Sequence, residues 1–241
     1  MQNQYKEVII ISTKKSNEKK QSKNISRKPL NIEKIVQTAL ELLNEVGLHQ
    51  LTTRRLAETL GIRSASLYWH IRDKAELMQL LAESICSQLH LPDPSLSWQE
   101  QVLSFAREYR LTLLSIRDSA EVLLETPPLT PKRLLLAGSM FGVLANVGYP
   151  PKEIVMASML INDYMLSFVK NEMHMSHMAK SQGLTTQEVM NNAKIFFSSL
   201  PPDQYPTLVS IADSMTYDID EHYEYGLKML LAGFNERLRH N

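Results

Sequence analysis

The sequence has few of the residues and motifs on which secretion, membrane insertion and nucleotide chemistry depend. Its 241 residues include one cysteine, Cys86, which excludes a disulfide within the chain and fits a reducing compartment. Only 8 glycines are present, and no Gly-rich phosphate loop, nucleophile elbow or HExxH helix occurs. No apolar run approaches the roughly 20 residues needed to cross a bilayer. We therefore expect a soluble, cytoplasmic chain that is not an enzyme, needs no cofactor and has no membrane partner.

Charge is unevenly distributed along a chain whose formal net charge is zero. Up to residue 80 there are 14 lysines and arginines against 8 acidic residues, and beyond it 12 against 18. Residues 1–28 are rich in Lys, Ser and Asn, and we expect them to be a mobile basic arm because they cannot bury enough apolar surface to fold. Such an arm can follow phosphates, and the alternative is a solubilising tail. The apolar run at residues 8–11 is too short for a secretion signal, and its lysines follow it.

Residues 52–74 have the pattern of a helix, a tight turn and a second helix. The first helix has an apolar face formed by Leu56, Ala57 and Leu60. Gly61 follows where a helix commonly ends in a left-handed residue, and Ser64 is the predicted N-cap of a second short helix centred on Leu67. This is the pattern of a helix-turn-helix motif, whose second helix enters the major groove of DNA. The surrounding basic side chains are suited to phosphates, and the small ones to close approach to bases.

Helical periodicity continues on both sides of this motif. Asn31 is a predicted N-cap for a first helix that Gly47 ends, and Asp73 with Glu76 forms a predicted capping box for a helix that continues toward Pro92. Further amphipathic helices follow, including a long one from Pro151 to about residue 178 and a last one from about residue 219. No convincing period-two strand appears. The predicted fold class is all-α.

Three ordered blocks, at residues 39–47, 51–57 and 67–70, closely resemble the TetR family, most of all its tetracycline repressor branch. The resemblance implies a three-helix DNA-binding domain at residues 29–75 and a ligand-binding and dimerisation domain at residues 76–241. It also implies a homodimer, joined by the long helix and the last helix of each subunit in a four-helix bundle. Such a dimer presents two recognition helices to a palindromic double-stranded DNA operator. We expect a repressor that leaves its operator when a small-molecule effector binds.

The expected DNA-binding residues lie in and around the helix-turn-helix: Thr53, Arg54, Ser64, Ala65, Ser66, Tyr68, Trp69, His70 and Lys74. By resemblance, Thr53 and Lys74 hold phosphates, whereas Arg54 and Tyr68 reach bases or backbone. Ser64 and Ala65 differ from the base-reading residues of the tetracycline repressor, so the operator sequence does not carry over. The alternative for Tyr68 and Trp69 is that they are core aromatics, since one of two adjacent residues must face inward.

The expected ligand-binding residues are mostly apolar: His90, Phe105, Tyr109, Leu123, Thr126, Met140, Leu144, Met159, Asn162 and Met165. Methionines adapt to varied ligands, and a few polar anchors are typical of a small-molecule site. The alternative is that these residues simply fill a core. His90 and Thr126 match drug-contacting positions of the tetracycline repressor, but Leu123 replaces its magnesium-binding imidazole. An apolar side chain cannot bind magnesium, so the resemblance argues for a largely apolar effector other than magnesium-tetracycline.

His174 and His177, with Asp163 and Glu172 nearby, lack the spacing of a zinc site, and we expect no metal. Two other functions stay open at this point. One is a DNA-binding architectural protein without an effector, and the other is an α-helical enzyme with an acid and base near Asp163 and His174. For the regulator, we expect the helix from Asp73 to Leu89 to carry the movement from ligand to DNA.

Overall fold

The computed structural model describes residues 30–215 and 218–239, and regular structure in these ranges is helical. The helices are α1 (Ile32–Val46), α2 (Thr53–Leu60), α3 (Ser64–Leu67), α4 (Lys74–Cys86), α5 (Trp98–Leu114), α6 (Ser119–Leu124), α7 (Pro131–Asn146), α8 (Pro151–Ser181), α9 (Thr186–Ser198), α10 (Pro206–Ile211) and α11 (Ile219–Arg239). The all-α prediction is confirmed. The predicted basic arm at residues 1–28 lies outside the described residues. Within them, no helix combines the length and the apolar character needed to cross a membrane.

The first helix begins and ends where its sequence predicts. The side chain of Asn31 accepts a hydrogen bond from the Lys34 N–H, and the Gly47 N–H donates to the Leu43 carbonyl. One face of α1 is buried against α2 and α4, through Ile35, Val36, Ala39, Leu42 and Leu43. This packing fixes α2 and α3 on a rigid support, as a helix-turn-helix requires.

Helix α4 differs from its prediction at both ends. Asp73 caps it by accepting the Glu76 N–H at 2.8 Å, but the Glu76 carboxylate accepts the N–H of Arg72 at 2.6 Å rather than that of Asp73. The helix ends at Cys86 instead of continuing toward Pro92. Leu89 is still buried, because the chain after Cys86 tightens into a turn in which the Leu89 N–H donates to the Cys86 carbonyl. An apolar residue at helical spacing therefore marked the core here, and not the helix.

The body is built around α5, α8 and α11. Arg110 on α5 is buried, and its guanidinium donates to both carboxylate oxygens of Glu172 on α8, at 2.7 and 2.8 Å, and to Asp220 on α11 at 2.7 Å. Tyr223 on α11 donates to the Ala106 carbonyl at 2.9 Å. These bonds join three helices that lie far apart in the sequence.

The apolar stripe predicted on the last helix packs mostly within its own chain. Tyr223 and Leu227 are fully buried, and Gly226 between them lets α11 approach α8 so closely that a Cβ there would overlap the Tyr164 ring. The apolar side chains that α11 leaves exposed are others, among them Tyr225 and Met229. Helix α8 also exposes a row of apolar residues, formed by Val155, Met156, Met159 and Leu160. Helix α10 was not predicted, because the prolines around it resemble an irregular segment.

Candidate functional site

The turn between α2 and α3 has the geometry of a tight helix-turn-helix. Gly61 adopts the left-handed conformation, with φ 67° and ψ 33°, and its N–H donates to the Ala57 and Glu58 carbonyls. A side chain at this φ would be strained, which explains the glycine. Arg63, and not Ser64, is the N-cap of α3, because Ser64 is already helical and its hydroxyl makes no capping bond. The predicted cap is therefore wrong by one residue.

The exposed side of α2 and α3 collects the residues expected to bind DNA. All nine are exposed or half-exposed, whereas Leu67 and Ile71 lie in the core. Tyr68 keeps 51% of its surface accessible and Trp69 keeps 88%. The structure thus contradicts the alternative that these two rings are core aromatics.

Hydrogen bonds hold part of this surface in place. The Thr53 hydroxyl and the Tyr68 hydroxyl lie 3.2 Å apart, so α2 fixes the ring that follows α3. Arg54 pairs with Glu58 at 3.0 Å on the solvent side of α2. Exposed pairs of this kind contribute little to stability, and phosphates can replace the carboxylate at low cost. Lys74 is the first residue of α4, and no carboxylate of the described residues lies within salt-bridge distance of its ammonium.

A second candidate site is a cavity of about 660 Å³ between α5, α6, α7 and α8. A volume of this size suits a drug-sized molecule. Eight of the ten residues expected to bind a ligand line it: Phe105, Tyr109, Leu123, Thr126, Met140, Met159, Asn162 and Met165. Their common feature is an apolar surface with a few hydroxyl and amide groups.

His90 and Leu144 do not line the cavity. Because α4 ends at Cys86, His90 lies on the surface, where its ring Nδ1 is 2.7 Å from a Glu108 carboxylate oxygen. Leu144 is fully buried in a separate cluster with Tyr149 and Ala157. Both predictions extended a helical face beyond the point where the cavity closes.

Several lining residues were missed by the sequence interpretation: Cys86, Glu125, Arg133, Leu136, Ala137, Ser158 and Asp163. Cys86 is the last residue of α4, and burial raises the pKa of its thiol to about 11. Burial also raises the pKa of the Tyr109 phenol. The Ser158 hydroxyl oxygen is buried without a hydrogen-bond partner. In the sequence, Arg133 resembles a solvated charge near a helix start, and only the tertiary structure shows that it is buried.

The loop between α5 and α6 joins the cavity wall to the DNA-binding helices. Asp118 adopts a left-handed φ of 55°, and its carboxylate accepts the Leu48 N–H at 2.8 Å. Arg117 donates from its backbone to the Asn44 side chain at 2.8 Å and from its guanidinium to the Glu45 carbonyl at 2.9 Å. We call Arg117 and Asp118 the α5–α6 clamp. It grips the end of α1 while α6, which it precedes, lines the cavity.

A polar cleft beside the clamp contains the two histidines weighed as metal ligands. His174 and His177 share it with His49, Lys170 and Lys180. In the part of the chain that the structure describes, no group of three or more His, Cys, Asp or Glu side chains is arranged to hold a metal ion. The geometry gives no support to a metal centre.

Comparisons with known proteins agree with this arrangement. Residues 35–81 match the family model "Bacterial regulatory proteins, tetR family", and residues 91–238 match "Tetracyclin repressor-like, C-terminal domain". The tetracycline repressor protein class E of Escherichia coli is 31% identical over 87% of this chain and 92% of its own length. The structure of the TetR family protein ActR of Streptomyces coelicolor with actinorhodin has a TM-score of 0.76 at 27% identity, covering 88% of this chain and 99% of that one. A structure of BioQ with its double-stranded DNA operator has a TM-score of 0.57 at 27% identity, covering 61% and 89%.

Proposed function

Because this chain belongs to the TetR family of bacterial transcriptional regulators, we propose that it is a repressor that a small, mostly apolar molecule releases from a palindromic operator. One observation carries this proposal. Helix α4 begins at Lys74, beside the exposed Tyr68–Trp69 tip, and its last residue, Cys86, lines the cavity. Thirteen residues of helix, about 20 Å at 1.5 Å per residue, therefore connect the two sites.

The DNA contacts divide by side-chain chemistry. Lys74, Thr53 and Arg54 are placed for phosphates, whereas Ser64, Ala65 and Ser66 at the start of α3 leave room for close approach to bases. Tyr68, Trp69 and His70 follow them on the exposed side. Among structural neighbours, the BioQ complex contains a double-stranded DNA operator, which supports this assignment. DNA binding also supports a cytoplasmic location.

A homodimer supplies the second reading head. The exposed apolar row of α8 and the exposed Tyr225 and Met229 of α11 are the surfaces we assign to the partner subunit. Burying such side chains contributes about 25 cal/mol per Å² of apolar surface, which favours association over exposure. Two-fold symmetry then places two copies of α3 on successive major grooves.

Release requires a ligand that prefers the conformation whose recognition helices no longer fit the operator. A molecule in the cavity touches α6 and the end of α4, and these two elements contact the DNA-binding helices through the clamp and through α1. We assign the coupling to both elements. The sequence interpretation named α4 alone.

The walls of the cavity also select the ligand. Leu123, Phe105 and Pro127 offer no donor for magnesium, which requires oxygen or nitrogen ligands. The minocycline and actinorhodin named for two structural neighbours show that the family takes multi-ring effectors, without deciding this chain's own. We propose a multi-ring or otherwise extended apolar molecule.

Two other functions rank lower. An architectural DNA-binding protein has no use for a 660 Å³ apolar cavity. An α-helical enzyme needs a convergent acid and base, yet Asp163 lies at the cavity and His174 at the separate polar cleft. We propose that the chain is not an enzyme.

Selection of bound sequences from random duplex DNA tests the proposal. We expect an enriched motif with two inverted half-sites, and a loss of binding to it of at least about tenfold when both Tyr68 and Trp69 are replaced by alanine. Tyr205→Ala, another exposed aromatic outside the helix-turn-helix, is the matched control. An unchanged affinity of the double variant, or no enriched motif at low salt, contradicts the proposal.

A further inference from the structure

Arg133 is a buried cation in the wall of an otherwise apolar cavity. It lies on the first turn of α7, and 9% of its surface is accessible. Its two terminal nitrogens donate four hydrogen bonds to the Thr126 hydroxyl and to the carbonyls of Leu123, Thr126 and Pro127. All four acceptors are neutral. The Nε–H has no acceptor within the described part of the chain.

No carboxylate forms a salt bridge with Arg133 among the described residues. The Glu83 carboxylate is the nearby acid on α4, and it accepts the Lys132 N–H at the start of α7, at 2.9 and 3.1 Å. The partial negative charge at the C-terminal end of α6 helps to hold the guanidinium. Carbonyl dipoles do not cancel a full charge, and a buried charge without a counter-ion is costly.

The acids that do face the cavity lie in solvent. Glu125 and Asp163 are exposed, so water and salt screen their charges. Arg133 is screened much less, because protein surrounds it. Inside the cavity, the field that a ligand meets at the Thr126 end is therefore positive.

We propose that the effector is an organic anion whose carboxylate, sulfonate or acidic phenol lies against Arg133. The inference rests on the proposed function, because it assumes that this cavity is the effector site. The apolar part of the molecule fits between Phe105, Met140 and Met165. A polar group on the same molecule can meet the unpaired Ser158 hydroxyl on α8.

Displacement of a neutral fluorescent probe tests the charge preference in the unaltered full-length protein. Phenylnaphthylamine is the probe, and its binding must fall when Ala137→Trp fills the cavity. Naphthoate, naphthamide and naphthylmethylammonium then compete for the same space with the same ring system and different charge. We expect naphthoate to displace the probe at a concentration at least about tenfold below the other two, as for a charge-assisted hydrogen bond.

A variant pair assigns the preference to this side chain. Arg133→Gln removes about tenfold of the affinity for naphthoate and leaves the affinity for naphthamide within about twofold, and Arg133→Lys retains a preference for the acid. Arg107→Gln, with the same charge change at a surface pair, leaves both unchanged. A purely capping role for Arg133 would alter both ligands equally.

The outcomes separate the two claims. Equal or better displacement by naphthamide or by the ammonium compound overturns the anion assignment and leaves the cavity as an effector site. If phenylnaphthylamine does not bind, or if Ala137→Trp does not affect it, the cavity assignment fails and the anion falls with it. Should both Arg133 variants unfold, the three competitors on the unaltered protein still decide.

Discussion

Tyr68 and Trp69 place two aromatic rings in water on the side of α3 opposite to its buried Leu67. Exposed single aromatics are ordinary, but two adjacent ones next to Arg54 and Lys74 form a surface with both stacking area and positive charge. Such a surface gains free energy only when a partner covers it. At the scale of single residues, this is the strongest physical reason to assign the face to DNA.

Lys74→Ala should weaken DNA binding almost equally for all sequences. A lysine that neutralises one phosphate releases about one counter-ion, so the slope of log K against log salt should become shallower by about 0.9. Fluorescence anisotropy with the selected duplex across a salt series measures this. Lys152→Ala, an exposed lysine on α8, is the control, and an unchanged slope for Lys74→Ala would remove that residue from the interface.

Cys86 should react slowly with thiol reagents in the folded protein. Its pKa is raised to about 11 by burial, so at pH 8 the thiolate is about two orders of magnitude scarcer than for a free cysteine. Since the pKa is raised, reactivity should increase as the pH rises toward 11. Maleimide labelling of native and denatured protein at pH 8 compares the two states, and equal rates would show that the thiol is accessible and ionised.

Ligand occupancy should slow this labelling further, because Cys86 lines the cavity. The effect should disappear in Ala137→Trp. Protection that persists in this filled variant would mean that the ligand binds elsewhere.

The secondary-structure elements connect the two sites at two points. Helix α4 contacts the cavity through its last residue, and α6 contacts it from Leu123 onward. The α5–α6 clamp then ties the start of α6 to the end of α1. A ligand that shifts α6 must therefore either break the clamp or move α1 with it.

Asp118→Ala should uncouple the sites. It removes the acceptor for the Leu48 N–H and replaces a residue that tolerates its left-handed φ of 55° with one that tolerates it less. We expect near-normal affinity for DNA and for ligand separately, and at least about a fivefold loss of the ligand's effect on DNA affinity. Asp118→Asn keeps an acceptor and should retain most of the coupling. Full coupling in the alanine variant would exclude the clamp from the pathway.

Arg110→Met should destabilise the body by about 3 kcal/mol. It leaves the buried Glu172 without its bidentate partner, and removing one member of a buried pair commonly costs this much. The matched control is Arg107→Met, whose partner Glu224 is met at a half-exposed surface and which should cost less than about 1 kcal/mol. Urea unfolding followed by circular dichroism gives both values, and equal losses would show that burial is not what matters.

Sequence reasoning succeeded at this scale where local chemistry decides the structure. Asn31 and Gly47 mark the limits of α1, and Gly61 marks the turn, because caps and left-handed residues depend on a few neighbouring atoms. It failed where tertiary packing decides. The end of α4, and with it the position of His90, follows from how the chain turns Leu89 into the core. The burial of Arg133 depends on carbonyls at the end of a different helix.

At the scale of the whole molecule, the exposed apolar row of α8 calls for a partner subunit. Met156 and Leu160 keep 53% and 51% of their surfaces accessible and lie one helical turn apart. The sequence interpretation named α8 and α11 for this role, but the stripe it chose on α11 is internal. Periodicity shows that a helix has an apolar face without showing which chain covers it.

Replacing both Met156 and Leu160 by glutamate should convert the dimer to monomers and abolish binding to the two-half-site duplex. Buried carboxylates without partners are far more costly than the apolar pair they replace. Sedimentation velocity measures the mass, and circular dichroism confirms that the fold is kept. Leu111→Glu, an exposed leucine on α5, should leave the dimer intact. A dimer that survives the double change would place the interface elsewhere.

The central claim is that the cavity and the helix-turn-helix report on one conformational equilibrium. The most direct measurement is the anisotropy of the labelled, selected duplex during titration with a compound that raises the melting temperature of the full-length protein through the cavity. The account predicts that the duplex is released as the cavity fills, and that the same titration on Ala137→Trp leaves it bound. A saturated cavity with the duplex still fully bound would contradict the account.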